Sequence, residues 1–296
     1  MGKTRIEWSD MSWPVVTGCS HAGSPGCDMC YAARMAATRL KHHPRYKGLA
    51  VVENSRARWT GEVRLNDVLD QPLHWRKPRR VFVASMGDLF HPDVYPSFIC
   101  GVWQVMRECP QHTFQILTKR PGQMLRLIKT YIADHELGIE PLPNVWLGVS
   151  VENQAAADER REHLERCPAA VKFVSYEPAL GPVDWAGWEF VSQIISGGES
   201  GPGARPSHPD WHRATRDFCQ ENGIAYFFKA WGAWGRRKEA GITLNDGPFG
   251  FWDDGTPGCN EWMAGGFSTC GEHMVRVGKK RAGHLLDGRT WQEFPR

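Results

Sequence analysis

The sequence predicts an α/β fold, a partial or complete parallel (β/α) barrel followed by a loop-rich C-terminal cap. Six apolar, β-rich runs carry the first part of that reading: VFVASMGDLF, FQILTKR, VWLGVSVEN, VKFVSYEP, FVSQIISGGES and IAYFFKAWG, each ending in polar residues. Four stretches of helical periodicity, PSFICGVWQVMREC, PGQMLRLIKTYIADH, QAAADERREHLERC and PDWHRATRDFCQEN, fill gaps between them. Strand and helix alternating at this spacing give parallel βαβ units, whose ligands gather at the carboxyl ends of the strands. Beyond Trp234 the composition shifts to Gly, Trp and polar residues, which sets a barrel at residues 1–234 and a cap at 235–296.

Taken in order, residues 5–16 read as an extended lead-in with Trp8 and Trp13 packing beneath it, ending in a short seventh strand. The loop TGCSHAGSPGCDMCY follows and places Cys19, Cys27 and Cys30 within twelve residues. YAARMAATRLKHH then reads as a helix that begins at the third cysteine, since Ala, Met and Leu recur at helical spacing. Residues 44–80 are irregular and basic, with strand-like pieces near Val51 and Val63 and a helix over NDVLDQPLHW. The barrel strands exit on Ser85 and Asp88, then Thr118, Lys119 and Arg120, then Ser150, Glu152 and Asn153, then Glu177, Gly197 to Ser200 and Lys229. The chain closes on MVRVGKKRAGHLLDGRTWQEFP, a short strand, a basic turn and an aromatic tail expected to pack on the cap.

The cysteine loop is the densest chemistry. A CxxC pair lets two thiolates reach one metal or cluster, and a third cysteine a short loop away closes another corner. Two outcomes stay open at this point. A zinc knuckle would need His21 or a distant cysteine as fourth ligand, whereas an iron–sulfur cluster on three cysteines keeps one iron open. Nine cysteines, an odd number, with no signal peptide or membrane span in view, point to reduced thiols and a cytoplasmic setting. Among the other six, Cys259 and Cys270 share the glycine-rich C-terminal segment and are the pair to consider for a second metal, whereas the rest read as buried small apolar residues. A net charge of +3 permits nucleic acid without arguing for it. No GxSxG, HExxH or phosphate loop is present, which argues against an ordinary hydrolase.

The run IEWSD…WPVVTGCSHAGSPGCDMCYA, with SMGDLFHPDV, TFQILTKRP, NVWLGVSVEN, FVSYEPALGPV, GGESGPGARPSHPDW, FFKAWGAW and VGKKRAGHLLDGRTWQEFP, resembles the phage Gp37/Gp68 family (DUF5131) from end to end. That family is regarded as radical-SAM-like, so the resemblance implies a barrel of radical-SAM type. It also implies a [4Fe-4S] cluster on Cys19, Cys27 and Cys30 whose free iron takes S-adenosylmethionine. Seven residues separate the first two cysteines here, where most radical-SAM enzymes have three, and Met29 stands where an aromatic commonly precedes the third. A weaker similarity joins TKR, SVEN, the Asp-Glu-Arg helix and YEP to the order found in spore photoproduct lyases, which act on thymine in DNA. By that likeness Lys119 and Ser150 contact the methionine carboxylate and the ribose, with Met29, Tyr31, Asp88 and Asn153 completing the cofactor side.

On this reading Asp88, Glu177, Glu199 and Lys229 line the substrate side, although acids at strand ends also cap helices. The expected activity is a radical enzyme that modifies or isomerises a hypermodified thymidine base in phage DNA, for instance as an isomerase, with an electron donor of flavodoxin or ferredoxin type. Basic runs in RYKGL, HWRKPRR, KAWGAWGRRK and VGKKR, interleaved with aromatics, suit phosphates and a base out of its stack. The rivals are a metal-stabilised nucleic-acid-binding protein without S-adenosylmethionine chemistry and a radical enzyme for a small molecule or protein.

Overall fold

The computed structural model describes residues 4, 6–132, 141–236, 249–252 and 272–295, so Cys259, Cys270 and most of the expected cap lie outside the described residues. The chain divides into two compact units, Met1–Ser150 with Asp158–Val174, and Val151–Ala157 with Ser175–Arg296.

In chain order the strands and helices of the first unit are β1 (Met11–Trp13), β2 (Val16–Gly18), α1 (Tyr31–Ala37), β3 (Ala50–Glu53), β4 (Arg56–Trp59) and β5 (Val63–Leu65). They continue with β6 (Arg80–Val83), α2 (Pro96–Glu108), β7 (Thr113–Thr118), α3 (Pro121–Leu127) and β8 (Val145–Ser150), then α4 (Gln154–Glu165) and β9 (Val171–Tyr176), which run across the division of the units. The second unit adds β10 (Gln193–Gly197), α5 (Pro209–Glu221), β11 (Ala225–Ala230), β12 (Trp234–Arg236), β13 (Phe249–Trp252), β14 (Glu272–Arg276) and α6 (Lys279–Ala282). Seven strands share one sheet in the order β1-β6-β7-β8-β9-β10-β11, with β1–β6, β6–β7, β7–β8 and β10–β11 parallel. This is the α/β, partial-barrel architecture that the alternating runs call for; the seventh strand of the sheet is β1, whereas the short strand leading into Cys19, β2, pairs with β5 outside it.

Apolar burial explains the arrangement. In α2 the residues Ile99, Val102, Trp103 and Met106 recur at i, i+3, i+4 and i+7 and are all buried, each stabilising by about 1.5–3 kcal/mol. Every residue of β8 is buried, as expected of a strand covered on both faces. Trp8 lies against Phe82 and Phe173 at 4.6 and 6.2 Å between ring centres, and Trp13 against Phe114 at 5.6 Å. The Trp13 indole N–H donates to the Val68 carbonyl at 2.8 Å, so both tryptophans sit beneath the lead-in as expected.

Three local expectations are corrected. NDVLDQPLHW forms only a single 3-10 turn at Gln71–His74, because Pro72 has no N–H to continue an α-helix backwards. The helix after Cys30 stops at Ala37, where the Thr38 hydroxyl donates to the Arg34 carbonyl at 2.6 Å and competes with the helical ladder. The aromatic tail, expected on the cap, instead runs along β11. Gln292 bridges Phe227, the Phe228 N–H donates to the Trp291 carbonyl at 2.8 Å, and the Glu293 N–H donates to the Tyr226 carbonyl at 3.1 Å.

Candidate cluster site and strand-end polar residues

Strand β2 delivers the cysteine loop. It pairs antiparallel with β5, and its last residue, Gly18, bridges Gly87 just past the end of β6 while its N–H donates to the Met86 carbonyl at 3.1 Å. Gly18 has φ +90°, and a Cβ there would lie 2.3 Å from the Glu62 carbonyl oxygen, so only glycine fits this crossing. Cys19 therefore emerges beside Asp88. From Pro25 to Cys27 the loop makes a 3-10 turn, the Cys30 N–H donates to the Cys27 carbonyl, and α1 starts at Tyr31.

All three thiols are free and half-buried. Burial, reinforced by Asp88, pushes the Cys19 thiol up to about 11, while Arg120 pulls the other way. Arg120 is the residue that organises this corner. Its Nη1 donates to the Cys19 sulfur at 3.6 Å and to Asp88 Oδ2 at 2.9 Å, and its Nη2 donates to the Ser20 carbonyl and hydroxyl at 3.0 and 2.8 Å. Burial opposes its charge, but Asp88 and Cys19 outweigh that and hold the guanidinium protonated. Asp88 is held in turn by the Thr118 hydroxyl at 2.9 Å and the Phe90 N–H at 3.0 Å, and the Arg120 N–H donates to Thr118 Oγ1 at 2.9 Å.

Ser20 also meets the buried His91, whose Nε2 lies 2.9 Å from the hydroxyl. The Asp93 N–H donates to His91 Nδ1, which leaves Nε2 as the donor to Ser20. Burial and then Arg120 depress the imidazole, keeping it neutral.

Among the described residues no three His, Cys, Asp or Glu side chains converge as ligands of a single metal ion. His21, the expected fourth ligand of a zinc knuckle, is engaged inside the loop: Nδ1 accepts from the Gly23 N–H at 3.0 Å and Nε2 meets Asp28 at 3.1 Å. The donor set fits a thiolate-bound cluster on other grounds. It offers three half-buried free thiols on one loop, with a half-buried guanidinium donating to one of them, as an anionic sulfur site requires.

The remaining cofactor-side candidates are placed as follows. Met29 is half-buried in the loop, and the exposed Tyr31 ring donates its hydroxyl to the Ser85 carbonyl at 2.7 Å. Lys119 is half-buried at the end of β7; Ser150 is buried at the end of β8, its carbonyl taking the buried Arg160 guanidinium at 2.6 Å. Asn153 accepts the Ala156 N–H at 3.0 Å and so caps α4.

In the second unit, Lys229 and Glu177 form an ion pair at 2.9 Å, with the Ser175 hydroxyl donating to Glu177 at 3.4 Å. Glu199 is committed elsewhere: it takes Arg205 through Nε at 2.9 Å, Nη2 at 2.6 Å and the backbone N–H at 2.8 Å. Sequence reasoning named Arg120 only as one of several strand-end residues; the TKR triplet was the signal available for it.

Comparison with known proteins adds the following. No curated protein matches the chain. Among solved structures it is similar to a spore photoproduct lyase complexed with dinucleoside spore photoproduct, with TM-score 0.43, 12% identity, and coverage of 93% of this chain and 70% of that one. A tyrosine-to-phenylalanine mutant of spore photoproduct lyase gives TM-score 0.38 at 12% identity, with the same coverage. The profile of the family described as "Protein of unknown function (DUF5131)" matches residues 3–295, and the chain therefore belongs to the DUF5131 family.

Proposed function

We propose that this chain is a radical S-adenosylmethionine enzyme whose [4Fe-4S] cluster is held by Cys19, Cys27 and Cys30. The observation that carries it is the half-buried three-thiol loop at the strand ends of the first unit, with Arg120 donating to the Cys19 sulfur. When bound, the cluster and S-adenosylmethionine supply a 5′-deoxyadenosyl radical able to take hydrogen from a substrate carbon.

The chain's own residues do the positioning. Arg120 steadies the Cys19 thiolate and ties the loop through Ser20, and Asp88 with Thr118 fixes the guanidinium. Lys119 suits a methionine carboxylate and Ser150 a ribose hydroxyl, while Met29 and Tyr31 flank the third cysteine on the adenine side. Asn153 serves α4 as well as this set. On the substrate side, the Glu177–Lys229 pair offers one carboxylate and one ammonium for a polar group; Glu199 shapes the loop that follows it through Arg205.

The finer reading is an isomerase acting on a hypermodified thymidine in phage DNA, moving an amino-acid substituent from a nitrogen to a carbon linkage, with electrons from a flavodoxin- or ferredoxin-type donor in the cytoplasm of an infected cell. Lys119 past the end of β7, with Ser150 and Asn153 at the end of β8, supports the cofactor side of this reading. Among the described residues no helix is long and apolar enough to cross a membrane. Anaerobic reconstitution with iron and sulfide, then dithionite and S-adenosylmethionine, is expected to give 5′-deoxyadenosine from the wild-type chain and none from Cys27→Ala. Bound zinc and no deoxyadenosine from the wild-type chain overturns the reading.

A further inference from the structure

The segment from Arg39 to Arg64 carries seven Lys and Arg against two Glu, a net +5 in a chain whose total is +3. The rest of the protein is therefore slightly acidic, and the positive charge is local. Its core is the hairpin of β3 and β4, turned at Asn54 and Ser55 with φ +47° and +61°, both positive as a tight two-residue type I′ turn requires.

Register assigns the faces. Ala50 pairs Trp59 and Val52 pairs Ala57 on one face, where Ala50, Ala57 and Trp59 are half-buried and only Val52 is exposed. Val51 pairs Arg58 and Glu53 pairs Arg56 on the other face, and all four are exposed. Lys41, Lys47 and Arg39 stand exposed in the preceding loop. Among the described residues, none of Arg39, Lys41, Lys47, Arg56 and Arg58 makes a side-chain hydrogen bond or ion pair.

The other basic runs are partly paired and carry fewer free cations each: among the described residues, Arg76 and Lys77 in one and Lys280 in another are exposed without a side-chain hydrogen bond or ion pair, while other members are engaged. Arg236 shares Asp287 with Arg213 and Arg216, and Arg80 pairs with Asp10. The hairpin loop is also tied to the cysteine loop's approach. Arg64 donates to the Pro44 and Lys47 carbonyls, and Thr17, two residues before Cys19, donates to the Arg45 carbonyl at 3.0 Å.

We propose that the β3–β4 hairpin, with Arg56 and Arg58 on its outward face and Arg39, Lys41 and Lys47 at its base, is a binding surface for the phosphate backbone of duplex DNA. Unpaired exposed cations in a local excess match a polyanion, and a two-stranded ribbon fits the major groove of B-form DNA but not the narrow one of RNA. This deepens the DNA reading above and rests on it.

The test measures fluorescence anisotropy of a labelled mixed-sequence DNA duplex across a salt series. Arg56→Ser/Arg58→Ser is expected to weaken binding about tenfold and to flatten the dependence of log affinity on log salt by roughly 2, near 0.9 per lost phosphate contact. Arg56→Lys/Arg58→Lys, which keeps the charge, restores most of the affinity. Arg107→Ser/Lys129→Ser removes the same charge from two exposed residues outside every basic run and should leave binding unchanged; an equal loss there overturns the proposal, as does wild-type protein that ignores the duplex. Binding to phosphatidylserine vesicles in place of the duplex assigns the hairpin to a membrane surface and also overturns it. Deoxyadenosine formation needs no DNA, so the cluster reading and the hairpin proposal fail separately.

Discussion

Asp88 and Arg120 lie 2.9 Å apart in an ion pair with only 7% and 13% of their side chains exposed, and the same Nη1 of Arg120 donates to the Cys19 sulfur. One contact thus joins the ends of β6 and β7 to the first thiol. Removing one partner of a buried pair leaves the other charge uncompensated, at roughly 3–5 kcal/mol. Asp88→Ala should therefore lower stability by about 3 kcal/mol in urea unfolding of the metal-free chain, and adding Arg120→Met should recover more than half. An Asp88→Ala chain that unfolds like wild type would show the pair to be inert.

The three loop cysteines should act as a set. Cys19→Ala, Cys27→Ala and Cys30→Ala are each expected to lose most reconstituted iron and sulfide along with the visible absorbance, while Cys100→Ala on α2 keeps both. Iron retained by any two of the loop variants would move the ligands elsewhere.

His212 sets an acid limb to stability. It is fully buried between Ser196 and Ser207, with Nδ1 and Nε2 at 2.6 and 2.8 Å from the two hydroxyls, and burial drives it down to about 3. The unfolded chain takes up this proton near pH 6.5 and the folded chain only near 3, so the stability is present above the unfolded value and declines as pH falls below it. Between pH 7 and pH 5 the loss should be about 2 kcal/mol by urea titration. His212→Asn, less stable at pH 7, should show a shallower slope over that window; an unchanged slope would assign it to other groups.

Neighbouring glycines at the end of β10 allow the proposed substrate role of Glu177 to be tested apart from folding. A Cβ on Gly197 would meet Glu177 Oε1 at 2.7 Å, the far end of a flexible side chain, whereas one on Gly198 would meet the Trp231 carbonyl oxygen at 2.2 Å. Gly197→Ala is expected to fold with a change under about 1 kcal/mol but displace the Glu177–Lys229 pair and raise the KM for substrate. Gly198→Ala should cost roughly 2–3 kcal/mol, because backbone must move. Thermal unfolding and steady-state kinetics of the two variants distinguish these effects, and equal KM values for Gly197→Ala and wild type would remove Glu177 from substrate binding.

The strands were legible because each is a short apolar run of β-rich residues closed by polar ones, and the cysteine loop because its spacing is local. What the sequence hid was contact between distant positions. Arg120 and Cys19 are 101 residues apart and Arg120 and Asp88 are 32 apart, and only parallel pairing with the Gly18–Gly87 crossing brings them together. Periodicity likewise placed a helix over NDVLDQPLHW, where Pro72 permits a turn alone. The residues near Val51 read as strand, but no pattern in them told which face would stand unpaired.

The tail on β11 has a colloidal consequence. β11 is the last strand of its sheet, and a bare edge there would present a row of open N–H and C=O groups as a template for pairing with another molecule. Trp291, Gln292 and Glu293 occupy that row with their own backbone, and Gln193 Nε2 fastens Glu293 by donating to its carbonyl at 2.7 Å. Shortening the chain before Trp291 should therefore show first as self-association in light scattering, ahead of any lowered unfolding midpoint.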